Sequence, residues 1–174
     1  MEISGYGISV DLPPGWEGRI YRRPEGDPTL HAGNFPLPME DGDFGTRALE
    51  TMRSDGAFLV ATEYDPALAG QGLFSQEAPA PLPATSELNA WALLRVRPGQ
   101  FGIQRFMTVG GRAFCVYVVV GSIPGPSALL GEANRVLRSL SIVPGGLGPD
   151  RAVRAFGESP ARTDEAVPGP KRIV

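Results

Sequence analysis

Few side chains in this sequence could carry chemistry, and they lie far apart. His31 is the only histidine and Cys115 the only cysteine. Zinc and copper centres draw on several such ligands at paired spacing, so no site of that kind is expected and no cofactor is assigned. A histidine titrates near neutral pH and suits acid–base work, yet His31 reads as a partly exposed strand residue without a role. Cys115 stands in the apolar run FCVYVVV and reads as a small buried hydrophobe rather than a nucleophile. A lone cysteine leaves no intramolecular disulfide to form.

The carboxylates are more numerous but no better arranged. Glu40, Asp41 and Asp43 in EDGD lack the alternating spacing and closing glutamate of a calcium loop, and an acidic helix start explains them. Glu63 and Asp65 flank Tyr64 and share a side at strand period; paired carboxylates can do acid–base work, but surface acids at a strand end are the simpler reading. VGGRAF fits a hairpin, GQGLF lacks the flanking strand and helix of a dinucleotide site, and neither a P-loop nor a GxSxG elbow occurs. One constellation remains. Trp91, Arg95, Gln104 and Tyr117 would bring an aromatic body and convergent polar groups onto adjacent strands, a candidate ligand or partner face. In the competing arrangement the first helix covers Trp91 and Tyr117 while Arg95 and Gln104 reach solvent along the rim.

These residues need a scaffold, and the hydrophobic pattern supplies one. Tyr6, Ile8, Val10 and Leu12 alternate with small or polar residues, predicting a strand that Pro13 and Pro14 must end. Trp16 then opens a second extended run to Arg23, its ring closing the end of a core. A third run spans Thr29 to Phe35. Asp43 is placed to cap a helix from Phe44 to about Arg53, and Ala57 to Tyr64 returns to strand. Residues 65 to 88 are rich in Pro, Ala and Gly, with Leu73 to Gln76 as a short edge strand. Gly110 and Gly111 join FGIQRFMTV to RAFCVYVVVG as a hairpin in which Met107 faces Phe114, Phe106 faces Cys115, Gln104 faces Tyr117 and Ile103 faces Val118. NAWALLRV would add a third strand through a turn at Pro98 and Gly99.

Phe114 to Val120 is apolar without alternation, the pattern of a strand covered on both sides. One face collects Leu94, Val96, Phe101, Ile103, Val116, Val118 and Val120; the other holds Trp91, Leu93, Phe106, Cys115 and Val119 with Arg95, Gln104 and Tyr117. A second helix, capped by Ser127, carries Leu129, Ala133, Val136, Leu137 and Leu140 at helical spacing, and Ser141 to Val143 can return as a short strand. Residues 144 to 174 are rich in Pro, Gly and mixed charge, which predicts a mostly disordered tail. RAVRAF within it could form a turn that docks on the body, and the terminal PKRIV could act as a docking peptide.

The 174 residues suit one domain, residues 1–143, with globular proportions of hydrophobic (42%) and charged (20%) residues. A net charge of −3 leaves no basic footprint for nucleic acid. No run is long enough to span a membrane and no signal segment opens the chain, so cytoplasmic residence without integral membrane association is the default expectation.

The start YGISVDLPPGW and the end, where FCVYVVVGS leads through a proline-containing loop into a helix closing on RVLRSLSI, resemble the Mog1/PsbP-like group of domains. That resemblance spans residues 5 to 143 and implies an α+β fold, a mostly antiparallel sheet of about six or seven strands sandwiched between helices. Members of the group include a nuclear transport factor that binds a small GTPase, photosystem subunits and actinobacterial lipoproteins. They share binding or assembly roles, not a reaction. The matching positions are core and turn residues, so no functional residue carries over, and the signal segment and N-terminal cysteine of the lipoproteins are missing here. A non-enzymatic protein-binding or assembly module is therefore expected, with a protein partner of unknown identity. The alternative is a small-molecule-binding protein or enzyme that uses the cleft around Arg95, Gln104 and Tyr117.

Overall fold

The computed structural model describes residues 1–24, 26–78, 82–93 and 97–145. Leu94, Arg95 and Val96 lie outside them, as does the tail from residue 146 onward, with its RAVRAF and PKRIV stretches. The described chain is a mixed α+β protein with two antiparallel sheets and two α-helices.

The doubly apolar stretch behaves as its composition dictates. Strands β6 (Phe101–Val109) and β7 (Arg112–Val120) form a hairpin across Gly110 and Gly111. Both glycines take positive φ, which a two-residue connection demands and side chains resist. The register is the predicted one: Met107 opposite Phe114, Phe106 opposite Cys115, Gln104 opposite Tyr117, Ile103 opposite Val118. Every residue of β7 is buried. It lies inside a five-stranded sheet ordered β3-β4-β5-β7-β6, completed by β3 (Glu17–Tyr21), β4 (Thr29–Gly33) and β5 (Ala57–Glu63).

The sheet has a core on each face. On one, Leu59, Phe114, Val116, Val118 and Val120 pack with Leu129, Leu130, Ala133 and Val136 of helix α2 (Pro126–Ser139). On the other, Phe58, Val60, Tyr117 and Val119 pack with Leu37, Leu93, Met52 and the Ala48 and Leu49 side chains of a short helix, α1 (Thr46–Thr51).

Several expectations are corrected. The opening alternation is not one strand but a hairpin, β1 (Glu2–Gly5) and β2 (Ile8–Asp11), turned at Tyr6 and Gly7, both at positive φ. Strand β2 pairs on its far side with β8 (Ser141–Ile142), so these three strands form a second sheet instead of extending the first. Residues 89–93 do not add a meander strand: Ala90–Ala92 is a 3-10 turn and only Asn89 bridges to Gly102. The reason is local, since the Asn89 side chain accepts from the Ala92 amide and closes the turn against strand extension. The Leu73–Gln76 edge strand is likewise a 3-10 turn, Gly72–Phe74, followed by a single bridge from Glu77 to Thr108. Ser127 does not cap α2, whose cap is Gly125 with Pro126 in the first turn, where a missing N–H costs nothing.

Arg112 ties the two sheets together. Its Nε donates to Glu63 Oε1 at 3.0 Å and its Nη2 to Glu63 Oε2 at 2.7 Å. Nη2 also donates to Tyr6 O at 3.0 Å, and Nη1 to Gly7 O at 3.3 Å and Val143 O at 3.4 Å. All five N–H groups of the guanidinium thus have acceptors: a carboxylate of the large sheet, and carbonyls from the turn and end of the small one. Glu63 is therefore no surface acid. It is 4% exposed and Arg112 3%, while exposed Asp65 faces away to cap the next turn through the Ala67 amide.

Candidate functional site

Of the residues proposed for a cleft, the three that are described, Trp91, Gln104 and Tyr117, are not brought to one surface. Gln104 and Tyr117 are cross-strand partners, but Tyr117 is fully covered in the core beneath α1, with the Phe44 ring edge-on at 6.0 Å. A side chain without exposed area can line no open wall. Trp91 is 86% exposed, which corrects the arrangement in which the first helix would cover it. Gln104 donates to Cys115 Sγ at 3.4 Å. Arg95 lies outside the described residues. Burial pushes the Cys115 thiol up to about 11, although the Gln104 contact opposes the rise, and a thiol held in that form is a poor nucleophile.

The concavity with polar chemistry is elsewhere, at the β3 edge of the large sheet. Two prolines, Pro36 and Pro38, prevent the chain after β4 from joining the ladder as a strand. Side chains of β3 take the place of a backbone partner. Glu17 Oε2 accepts from the Leu37 amide at 2.9 Å, while Arg19 donates to Leu37 O at 3.2 Å and to Pro38 O at 2.8 Å. The segment is thereby held off the sheet, leaving a basin of about 660 Å³ between β3, β4, residues 37–42 and α1.

His31 forms its floor. It is 4% exposed, buried where a partly exposed residue is expected, with the Tyr21 and Phe58 rings edge-on, each at 5.2 Å. Its Nε2 is 3.0 Å from Asp43 O and 3.2 Å from the Tyr21 hydroxyl. A carbonyl only accepts, so the first contact assigns the hydrogen to Nε2. Burial pulls the imidazole below its ordinary value, against the Asp43 carbonyl and the Asp41 and Asp43 charges. Burial, with help from the same two carboxylates, pushes the Tyr21 phenol up to about 12. At neutral pH both rings are therefore uncharged.

The charge lies on the walls. Arg19, Arg22, Arg23 and Arg47 line the basin with Glu40, Asp41 and Glu50. Arg23 pairs with Asp43, and Glu50 with Arg97. Asp41, not Asp43, closes the start of α1: its Oδ1 accepts from the Gly42 and Arg47 amides and its Oδ2 from the Ala48 amide. Three arginines are left bonded to carbonyls alone, Arg19 as above, Arg22 through Gly26 O at 3.1 Å, and Arg47 through Glu40 O at 3.5 Å. No catalytic residue type or motif marks these arginines in the sequence. The signal was present in Glu17 and Arg19, two residues apart on a strand and opposite a PLP segment.

A second concavity, of about 380 Å³, lies on the opposite face at the other edge of the sheet and is mainly apolar, with Met107, Val109, Leu137, Leu140 and Ile142 in its lining. Among the described residues no helix is long and apolar enough to cross a membrane, and no group of three or more His, Cys, Asp or Glu is placed to hold a metal ion. No family model matches the chain, and no curated protein or solved structure does either.

Proposed function

We propose that this protein is a non-enzymatic binding module that engages a protein partner through the arginine-lined basin at the β3 edge. The carrying observation is that Arg19, Arg22 and Arg47 meet there and, among the described residues, none of the three is in a salt bridge, with Glu40 and Asp41 the acids beside them that are not paired to another arginine. Arginine and methionine are enriched at protein interfaces, and Met39 stands 85% exposed on the rim. The rings on the floor support the same reading, because a neutral Nε2–H histidine and a neutral phenol whose hydrogens go to backbone carbonyls form a recognition surface rather than a proton-transfer pair.

The sequence resemblance to Mog1/PsbP-like domains agrees with this role. In that plan α1 and α2 would be the helical layers flanking the five-stranded sheet, and β1, β2 and β8 an addition to one of them.

The test is recovery of a partner. Tagged wild-type protein and an Arg22→Gln/Arg47→Gln variant, matched in thermal stability, are used as baits in lysate of the source organism. A protein retained in stoichiometric amount by the wild type and lost from the variant supports the proposal. Equal retention by both moves the interface away from the basin. A small-molecule reading has one observation in its favour, since 660 Å³ falls within the range of ligand pockets, roughly 300–1,000 Å³.

A further inference from the structure

We infer that the part of the partner that enters the basin is a carboxylate-rich segment, a short run of Asp or Glu side chains; this rests on the reading of the basin as the binding face. The local charge balance carries it. Asp43 neutralises Arg23, Arg97 neutralises Glu50, and three backbone amides occupy Asp41. What remains among the described residues is Arg19, Arg22 and Arg47 against Glu40 and Asp41, whose charge the amide bonds leave in place, an excess of one positive charge in a chain whose net charge is −3. A basic basin on an acidic protein steers an acidic partner toward it and repels basic ones.

The donors are also of the right kind. A guanidinium offers five N–H groups in a planar fork that matches a carboxylate edge, and Arg22 and Arg47 each commit one nitrogen to a carbonyl of their own chain. The three come from separate elements: Arg19 from β3, Arg22 from the turn after it and Arg47 from α1. Successive acids along an extended segment could each meet one of them. The exposed Met39 beside them offers apolar cover for the methylene stems of glutamates.

Fluorescence anisotropy of labelled hexaglutamate and hexalysine peptides tests this on the full chain, with Arg22→Gln/Arg47→Gln as the basin variant and Arg138→Gln on α2 as the control. The expected result is saturable hexaglutamate binding that weakens with salt, drops at least about tenfold in the double variant, as loss of a charge-assisted contact worth ~1.4 kcal/mol or more requires, and is unchanged in the control. Hexalysine should not bind. Equal hexaglutamate binding by wild type and double variant overturns the assignment, as does hexalysine binding. Inorganic phosphate is titrated in parallel. Saturable phosphate binding that depends on Arg22 and Arg47, without peptide binding, would give the basin to a small oxyanion instead. If hexaglutamate fails while the lysate partner is still lost from the double variant, the acidic chemistry is wrong and the basin remains the interface. If neither responds, both readings fall.

Discussion

Arginine is put to opposite uses in two regions of this molecule. At the start of β7, Arg112 is sealed between the sheets with every N–H committed, two of its bonds to one carboxylate and three to carbonyls of the small sheet. At the β3 edge, Arg22 and Arg47 hold one carbonyl each and otherwise face the basin. The difference follows from desolvation. A buried guanidinium must find partners for all its donors or it costs more than it returns, so complete pairing marks a structural residue. An arginine that keeps donors in reach of water still has interaction energy to give to a ligand.

The contrast is broken most directly at Arg112. Replacing it with methionine removes the guanidinium from the buried Glu63 carboxylate, and chemical denaturation should show a loss of about 3–5 kcal/mol. Adding Glu63→Leu should restore much of that, because no charge is then left in the core. If Arg112→Met alone unfolds at the wild-type denaturant midpoint, the two sheets are not held together as described.

Arg19 sits between the extremes, since it lines the basin yet clamps residues 37 and 38. Arg19→Gln should cost about 1.5–3 kcal/mol, the usual scale for hydrogen bonds that involve a charged group, and should speed amide exchange at Leu37. An unchanged Leu37 amide would mean that the Glu17 carboxylate holds this segment unaided.

His31 gives a smaller signature, in pH. Burial lowers its folded-state value below the ordinary 6.5, so below pH 6.5 the unfolded chain binds more protons than the folded one. Its contribution to stability is therefore complete above 6.5 and is lost as the pH falls from there toward the lowered value. His31→Gln should flatten that slope of stability against pH, and a slope identical to wild type would remove His31 as its source. The smallest effect belongs to Arg22→Gln/Arg47→Gln, whose thermal stability should stay within about 0.5 kcal/mol of wild type while partner binding is lost. A large destabilisation there would erase the distinction between the two regions.

Some of this was legible beforehand, and the particular residues show why. The β6–β7 hairpin register follows from Gly110–Gly111 and the runs on either side, all local features. The division of β7 into two buried faces follows from an apolar run without alternation. The short return strand at Ser141–Ile142 was also foreseen, but its partner was not. That depended on Tyr6 and Gly7 turning the chain back, and the regular alternation of Tyr6, Ile8, Val10 and Leu12 concealed the turn. The candidate face was misread for a related reason. Placing Trp91 on one face with Tyr117 requires an extended chain at residues 89–93, and the Asn89 side chain closes a turn over Ala90–Ala92 instead.

The sequence by itself determined a part of the framework: the β6–β7 hairpin with its register, the prolines that stop the chain after β2, and the strand that must be covered on both faces. These are properties of neighbouring residues, set by backbone sterics and by the period at which apolar side chains recur. Only the tertiary structure decided which charges meet. Arg112 reaches Glu63 across 49 positions and Tyr6 across 106, and Arg22 joins Arg47 on one basin. An ion's partner is chosen by proximity in space and by the cost of leaving it dry, and neither is written in the residues beside it.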